Sequence, residues 1–256
     1  MEYAHLSSTV SIKTVSEDVK DGVFEVEGLF AGYGLTLGNA LRRTLLSSLP
    51  GAAATEIKIK GVSHEFSTLP GIAEDMVELA LNFKKLRFRL AVDEPQVLSL
   101  KVKGIRDVTA GDIVLNSEIA LANPEEMLAH LTAKDAELDI EIKVERGLGY
   151  VPAEARTTEG RLPVGTIALD AIFTPVQRVN FVVEDMRVGD RTDYNRLRLE
   201  IGTDGTISPS AALHKAANIL KDHFDKVSVV PVQEFDLPKS GEEPKKKKTV
   251  KKKKEE

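Results

Sequence analysis

The chain has 256 residues, no cysteine and no tryptophan, with a formal net charge of −5 at pH 7; the missing thiols exclude disulfides, thiolate metal sites and thiol catalysis. A hydrophobic fraction of 42% beside 29% charged residues is a globular composition, and the length suits one large domain or two modest ones. Residues 241–256 hold eight lysines and four glutamates, so positions 1–240 keep 27 basic and 36 acidic residues, an acidic body of −9 with a tail of +4 that argues against a broad DNA-binding surface.

The N-terminus, Met1-Glu2-Tyr3-Ala4-His5, is acidic and lacks the basic-then-apolar order of a signal peptide. No apolar run approaches the ~18 residues of a membrane helix, so a soluble cytosolic protein is expected. A first strand runs through Phe24, Val26 and Phe30. Residues 36–48 place Leu37, Ala40, Leu41, Thr44, Leu45 and Ser48 in a helical stripe that stops at Leu49-Pro50-Gly51. Ile57 and Ile59 mark a strand, and Met76, Leu79, Ala80 and Phe83 a helix over 74–84. Apolar residues alternate again at Leu86–Val92, Leu98–Val102 and Leu138–Val144, each a strand with one dry and one wet face, the habit of antiparallel sheet. The stretches 104–136 and 151–165 read as loop-rich. Further strands run through Val179-Phe181-Val183 and Leu197-Leu199-Ile201.

The last helix opens at Ser208-Pro209, an N-cap residue followed by proline at the first helical position. It carries Leu213, Ala217, Leu220 and Phe224 beside Ala212, Ala216 and Ile219, an arc broad enough to pack on two sides. After Pro238 the pattern stops. The order of elements is α+β: a discontinuous domain of two main helices on a sheet over 1–50 plus 176–235, a strand-rich insertion over 51–175, and an unfolded Lys-rich tail over 236–256.

Chemistry is sought at four places without success. Gly32-Tyr33-Gly34-Leu35-Thr36-Leu37-Gly38 precedes a helix, but its third glycine falls one residue late for a dinucleotide fingerprint and no Gly-Lys-Ser/Thr follows. The segment reads instead as a tight strand-to-helix turn at Gly32 and Gly34, with Gly38 permitting close helix packing. The histidines 5, 64, 130, 214 and 223 show no metal-ligand spacing. Ser67 beside His64 lacks a nucleophile-elbow pattern and reads as a polar turn, and no carboxylate pair occupies an apolar setting. Arg42 and Arg43 stand out more. Successive helical residues point about 100° apart, so the two cannot share one face and one must lie near the apolar stripe. They are either a solvated pair or an arginine edge for a partner.

These residues carry a resemblance. The run Gly32 to Ser48 (GYGLTLGNALRRTLLSS) is similar to the first helix of the bacterial RNA polymerase alpha-subunit family. In the same order follow GVSHEFST at 61–68, EDMVELALNFK at 74–84, VERGLGYVPA at 144–153, TPVQR at 174–178, RTD at 191–193 and TDGTISP at 203–209. The resemblance covers roughly residues 5–230 and implies a homodimer that nucleates polymerase assembly, one protomer docking the beta subunit and the other beta-prime, in support of transcription from NTPs. It implies dimer contacts by the first and last helices, for which Leu37, Leu41, Leu45, Leu213, Ala217, Leu220 and Phe224 are the candidates, each equally suited to the monomer core. It implies beta docking at Arg43 and Leu46, and large-subunit docking, beta-prime in particular, at Lys84, Leu169, Val176 and Arg178. No cofactor or metal is expected on this chain, since the catalytic magnesium belongs to beta-prime. The family usually continues into a C-terminal domain that binds upstream promoter DNA. Here the sequence runs into Lys245–Lys254, so that recognition does not carry over, and the lysines offer salt-sensitive, non-specific attraction to DNA or serve solubility alone. Leu148 stands where many relatives carry a basic residue. A stand-alone small-molecule enzyme of α+β fold is the competing reading.

Overall fold

The computed structural model describes residues 8–62, 64–157, 163 and 165–231. Along the chain run β1 (Ser11–Glu17), β2 (Asp21–Leu29), α1 (Tyr33–Ser47), β3 (Pro50–Ile59), α2 (Met76–Lys84), β4 (Phe88–Leu90), β5 (Gln96–Lys103), β6 (Arg106–Thr109) and β7 (Ile119–Leu121). They are followed by β8 (Met127–Leu131), β9 (Glu137–Leu148), β10 (Tyr150–Val151), α3 (Ala153–Thr157), β11 (Thr166–Ala168), β12 (Ala171–Ile172), β13 (Val176–Val188), β14 (Arg191–Thr203) and α4 (Pro209–Val227). The fold is α+β, as the mixture of helical and alternating patterns requires.

The two ends of the chain share one antiparallel sheet of order β1-β2-β14-β13. Register sets Phe24 opposite Leu199 and Val179 opposite Ile201, so their side chains fall on one face. That face meets α1 and α4, and Phe24, Leu45, Leu49, Val179, Leu199, Ile201, Ala212, Leu213 and Ala216 form its core. β1 is exposed along its whole length, which is why it lacks the dry face that would mark it in the sequence.

A second sheet of order β5-β9-β3-β4-β7, with β11 on β3, packs against α2 through Met76, Leu79 and Phe83. The side chain of Asp75 caps α2 by accepting from Glu78 N–H at 2.7 Å. The sheet's wet face carries directly opposed charges: Lys58–Glu141 at 3.6 Å, Lys101–Asp139 at 3.3 Å and Lys103–Glu137 at 3.2 Å. Such exposed pairs contribute at most about 1 kcal/mol each, and their larger effect is to penalise a one-residue slip of register.

The stretch 104–136 is more ordered than the sequence suggests. It contains β6, a 3-10 turn at Ala110–Asp112, β7 and β8, while 151–157 holds β10's end and α3. Strands of three to five residues are too short to show a period, and Val108, Ala110, Ile113, Leu128, Ala129 and Leu131 are buried because neighbouring segments cover them. Conversely, the alternation at 86–92 yields only the three residues of β4 as strand.

His130 on β8 ties the segment before α2 to the two-stranded pair β6-β8. Its ring Nδ1 bonds a Glu74 carboxylate oxygen, its backbone N–H donates to the other at 2.8 Å, and its Nε2 lies 3.8 Å from Asp107. The Glu74 hydrogen bond and charge raise the His130 pKa above its ordinary 6.5. For Glu74, burial pushes upward but is outweighed by the bonds from His130, which hold it below its ordinary 4.5. A raised histidine pKa contributes stability that is fully present below 6.5 and is lost as pH rises through the folded-state value. The Tm gap between the native chain and His130→Gln is therefore expected to be widest between pH 4.5 and 6.5 and to close above it. A gap that persists unchanged into the alkaline range would show that the imidazolium is not what holds the segment.

Candidate functional site

Helix α1 starts where the backbone turns out of β2. Gly32 takes φ +86, a left-handed conformation that glycine alone adopts without strain, and this lets the helix begin at Tyr33, three residues before the apolar stripe predicts. Asn195 on β14 anchors the turn: its side-chain oxygen accepts from Gly32 N–H at 2.8 Å and Gly34 N–H at 3.4 Å, and its amide donates to Asp185 at 3.2 Å. A Cβ on Gly34 would sit 2.6 Å from Val183 Cγ1, and one on Gly38 would sit 2.6 Å from the Phe181 ring. Gly34 and Gly38 therefore serve close helix-on-sheet packing.

With Gly34, Gly38 and Leu45 turned to the sheet, Leu37, Leu41 and Leu46 are half-buried at the flanks, and Leu41 and Leu46 pack on the core. Leu35 remains 58% exposed. Arg42 and Arg43 are both exposed, and neither makes an ion pair with a described residue. At about 100° per residue Arg42 borders the buried stripe, while Arg43 lies nearly opposite Leu45.

Helix α4 is capped as its sequence predicts, Ser208 Oγ accepting from Ala211 N–H at 3.3 Å. Its residues 213, 217, 220 and 224 fall within about 60° of one another, so they form a single stripe. The stripe leaves the core as it goes. Leu213 is buried, Leu220 is half-buried, Ala217 is exposed, and Phe224 and Val227 are each 65% exposed. Every described residue from 221 to 231 is exposed.

A third feature surrounds Lys84 at the end of α2. Its Nζ donates to Asp170 at 2.9 Å and lies 5.8 Å from the Tyr150 ring centre, and the other Asp170 oxygen accepts from Ala153 N–H at 2.9 Å. The Ala153 amide and Lys84 hold the Asp170 carboxyl below the usual carboxylate range. Partial desolvation of the hydroxyl and its hydrogen bond to Asp170 push Tyr150 upward. Leu148 and Tyr150 are both exposed beside this cluster.

A sequence model of the RNA polymerase Rpb3/RpoA insert domain matches residues 57–174. The DNA-directed RNA polymerase subunit alpha of Symbiobacterium thermophilum is 50% identical over 216 residues, covering 84% of this chain and 68% of that one. The subunit of Carboxydothermus hydrogenoformans is 50% identical over 214 residues, covering 83% and 68%, and that of a Roseiflexus species is 48% identical over 219 residues, covering 86% and 66%. The chain belongs to the bacterial RNA polymerase alpha-subunit family.

Within this alpha-subunit fold the expected site residues separate by burial. Leu45 is 0% exposed and Leu213 is also buried, both within the smaller sheet's core. Leu169 and Val176 are buried too, one in each core. All four side chains are taken up by the protomer's own cores. Lys84 and Leu169 are brought together through Asp170, whereas Arg178 stands apart on β13, 3.2 Å from Asp21. His64 Nδ1 and Ser67 Oγ lie 3.2 Å apart in an exposed turn, as the polar-turn reading has it. The Lys-rich tail lies outside the described residues. Sequence reasoning missed Asn195, Asp170 and Tyr150. Only Asn195 left a signal: it takes an inward position in the alternation Asn195-Leu197-Leu199-Ile201, where a polar residue calls for a buried partner.

Among the described residues no helix is long and apolar enough to cross a membrane.

Proposed function

We propose that this chain is a homodimeric assembly scaffold of RNA polymerase, which docks beta through one protomer and beta-prime through the other and supplies no catalytic residue or metal itself. The catalytic magnesium then belongs to beta-prime, and the chain acts in the cytoplasm as part of the nucleotidyltransferase complex. The observation that supports this reading most is the α4 stripe, which leaves its own core with Phe224 and Val227 still exposed. An aromatic and a branched side chain at that exposure are costly in water unless a second surface covers them. On this reading the outer side of α1 is free to meet beta at Arg43 and Leu46, and the Lys84–Asp170–Tyr150 cluster with Arg178 faces the large subunits. The assembly unit comprises residues 1–50 with 176–235, and residues 51–175 form the insertion. A stand-alone small-molecule enzyme is supported by none of these features.

Arg43→Ala tests the docking assignment. Arg43 is exposed and pairs with no described residue, so its loss leaves the fold untouched. Co-purified beta is expected to fall about tenfold, as for an interfacial arginine worth about 1–2 kcal/mol, while the dimer persists. A variant that loses the dimer yet retains beta would place the docking edge elsewhere.

A further inference from the structure

A groove of about 890 Å³ runs between the two cores, beneath β4 on one side and the first turns of α4 on the other. Pro50, Ile207 and Ala211 contribute apolar wall. Its charged lining is Arg89, Arg146 and Lys215, with no carboxylate among the described lining residues. That is unusual for this molecule, whose residues 1–240 carry −9. Arg146 pairs with the exposed Asp93, but Arg89 and Lys215 are exposed and pair with no described carboxylate. Arg89 belongs to the larger sheet's side and Lys215 to the smaller one, so a ligand here touches both.

We propose that this groove docks an acidic, partly apolar extended peptide segment of a partner polypeptide. Charge complementarity selects the sign, since the described lining of the groove is cationic while residues 1–240 are acidic as a whole. The apolar wall between the cations selects a peptide with carboxylates spaced by aliphatic side chains over a nucleic acid, which would need a longer track of phosphate contacts. The chain's own terminal lysines carry the wrong charge to fill it. The surface is separate from the α4 stripe and from Arg43, so the inference goes beyond the scaffold reading and does not depend on it.

The test measures fluorescence anisotropy of a labelled peptide that alternates glutamate with valine, titrated with the full chain and with Arg89→Glu/Lys215→Glu. The terminal lysines are identical in both chains and set a common background, so the difference reports the groove. Affinity is expected to fall about tenfold in the double variant and to weaken with salt, while a lysine–valine peptide binds neither chain. Dimer content and Tm, measured alongside, are expected to stay unchanged. If charge reversal prevents folding, Arg89→Gln/Lys215→Gln carries the same comparison. Equal binding by native and variant chains would overturn the proposal. So would displacement of the peptide by inorganic tripolyphosphate as effectively as by unlabelled peptide, which would mark a general anion site.

Discussion

Replacing Phe224 with aspartate is expected to turn a dimer of this chain into monomers while changing its Tm little. In the isolated protomer Phe224 is 65% exposed, so the substitution removes little from the monomer. In a two-fold dimer the same position occurs twice, and a buried aromatic anchor is worth about 2 kcal/mol or more on truncation. A carboxylate forced into that contact adds its desolvation cost. Together these weaken the dimer by at least about a thousandfold. Sedimentation equilibrium across a concentration series measures it directly. Leu213→Asp is the informative contrast. It lies on the same stripe but inside the core, so it should lower Tm sharply, and dimer loss there would say nothing about an interface. If Phe224→Asp remains dimeric at low concentration, the covering surface of α4 is something other than a second copy.

Gly38→Ala sets local propensity against packing with opposite signs. Glycine inside a helix costs roughly 0.5–1 kcal/mol relative to alanine, so propensity alone expects the variant to be more stable. The structure expects the reverse. The added Cβ would stand 2.6 Å and 2.8 Å from Phe181 ring atoms and 3.1 Å from Leu197 Cδ1. A rigid ring between helix and sheet cannot yield at one atom, so α1 must lift from β13, at a cost of about 1–3 kcal/mol for overpacking. The net destabilisation lowers Tm by about 2–6 °C for a domain of this size. A rise in Tm on calorimetry would mean that Phe181 swings aside and that the glycine is kept for another reason.

These two sites show what patterning conveys and where it stops. The alternation of Leu197, Leu199 and Ile201 and the stripe of α4 are each legible because one element repeats a contact with one partner at its own period. Gly38 was legible as a packing glycine, though its neighbour was not, since Phe181 lies 143 positions later on another strand. The short strands between 106 and 131 escaped because three to five residues carry no period, and their burial comes from what covers them. Among the site residues, Arg43 and Phe224 could be picked out as types that anchor partners. That Leu45, Leu169, Val176 and Leu213 face inward could not, because a leucine in a core and a leucine at an interface present the same letter.

The sequence by itself determined the fold class, the capped start of α4, the turn into α1 and membership of the alpha-subunit family, since each is encoded by residues close together or by collinear runs. Only the tertiary structure decided which apolar residues are consumed by the protomer, that Lys84 is engaged by Asp170, and that Arg89 on β4 and Lys215 on α4 line one groove. The reason is physical. Burial and charge pairing depend on what the chain brings near from far away, and no local period records that distance.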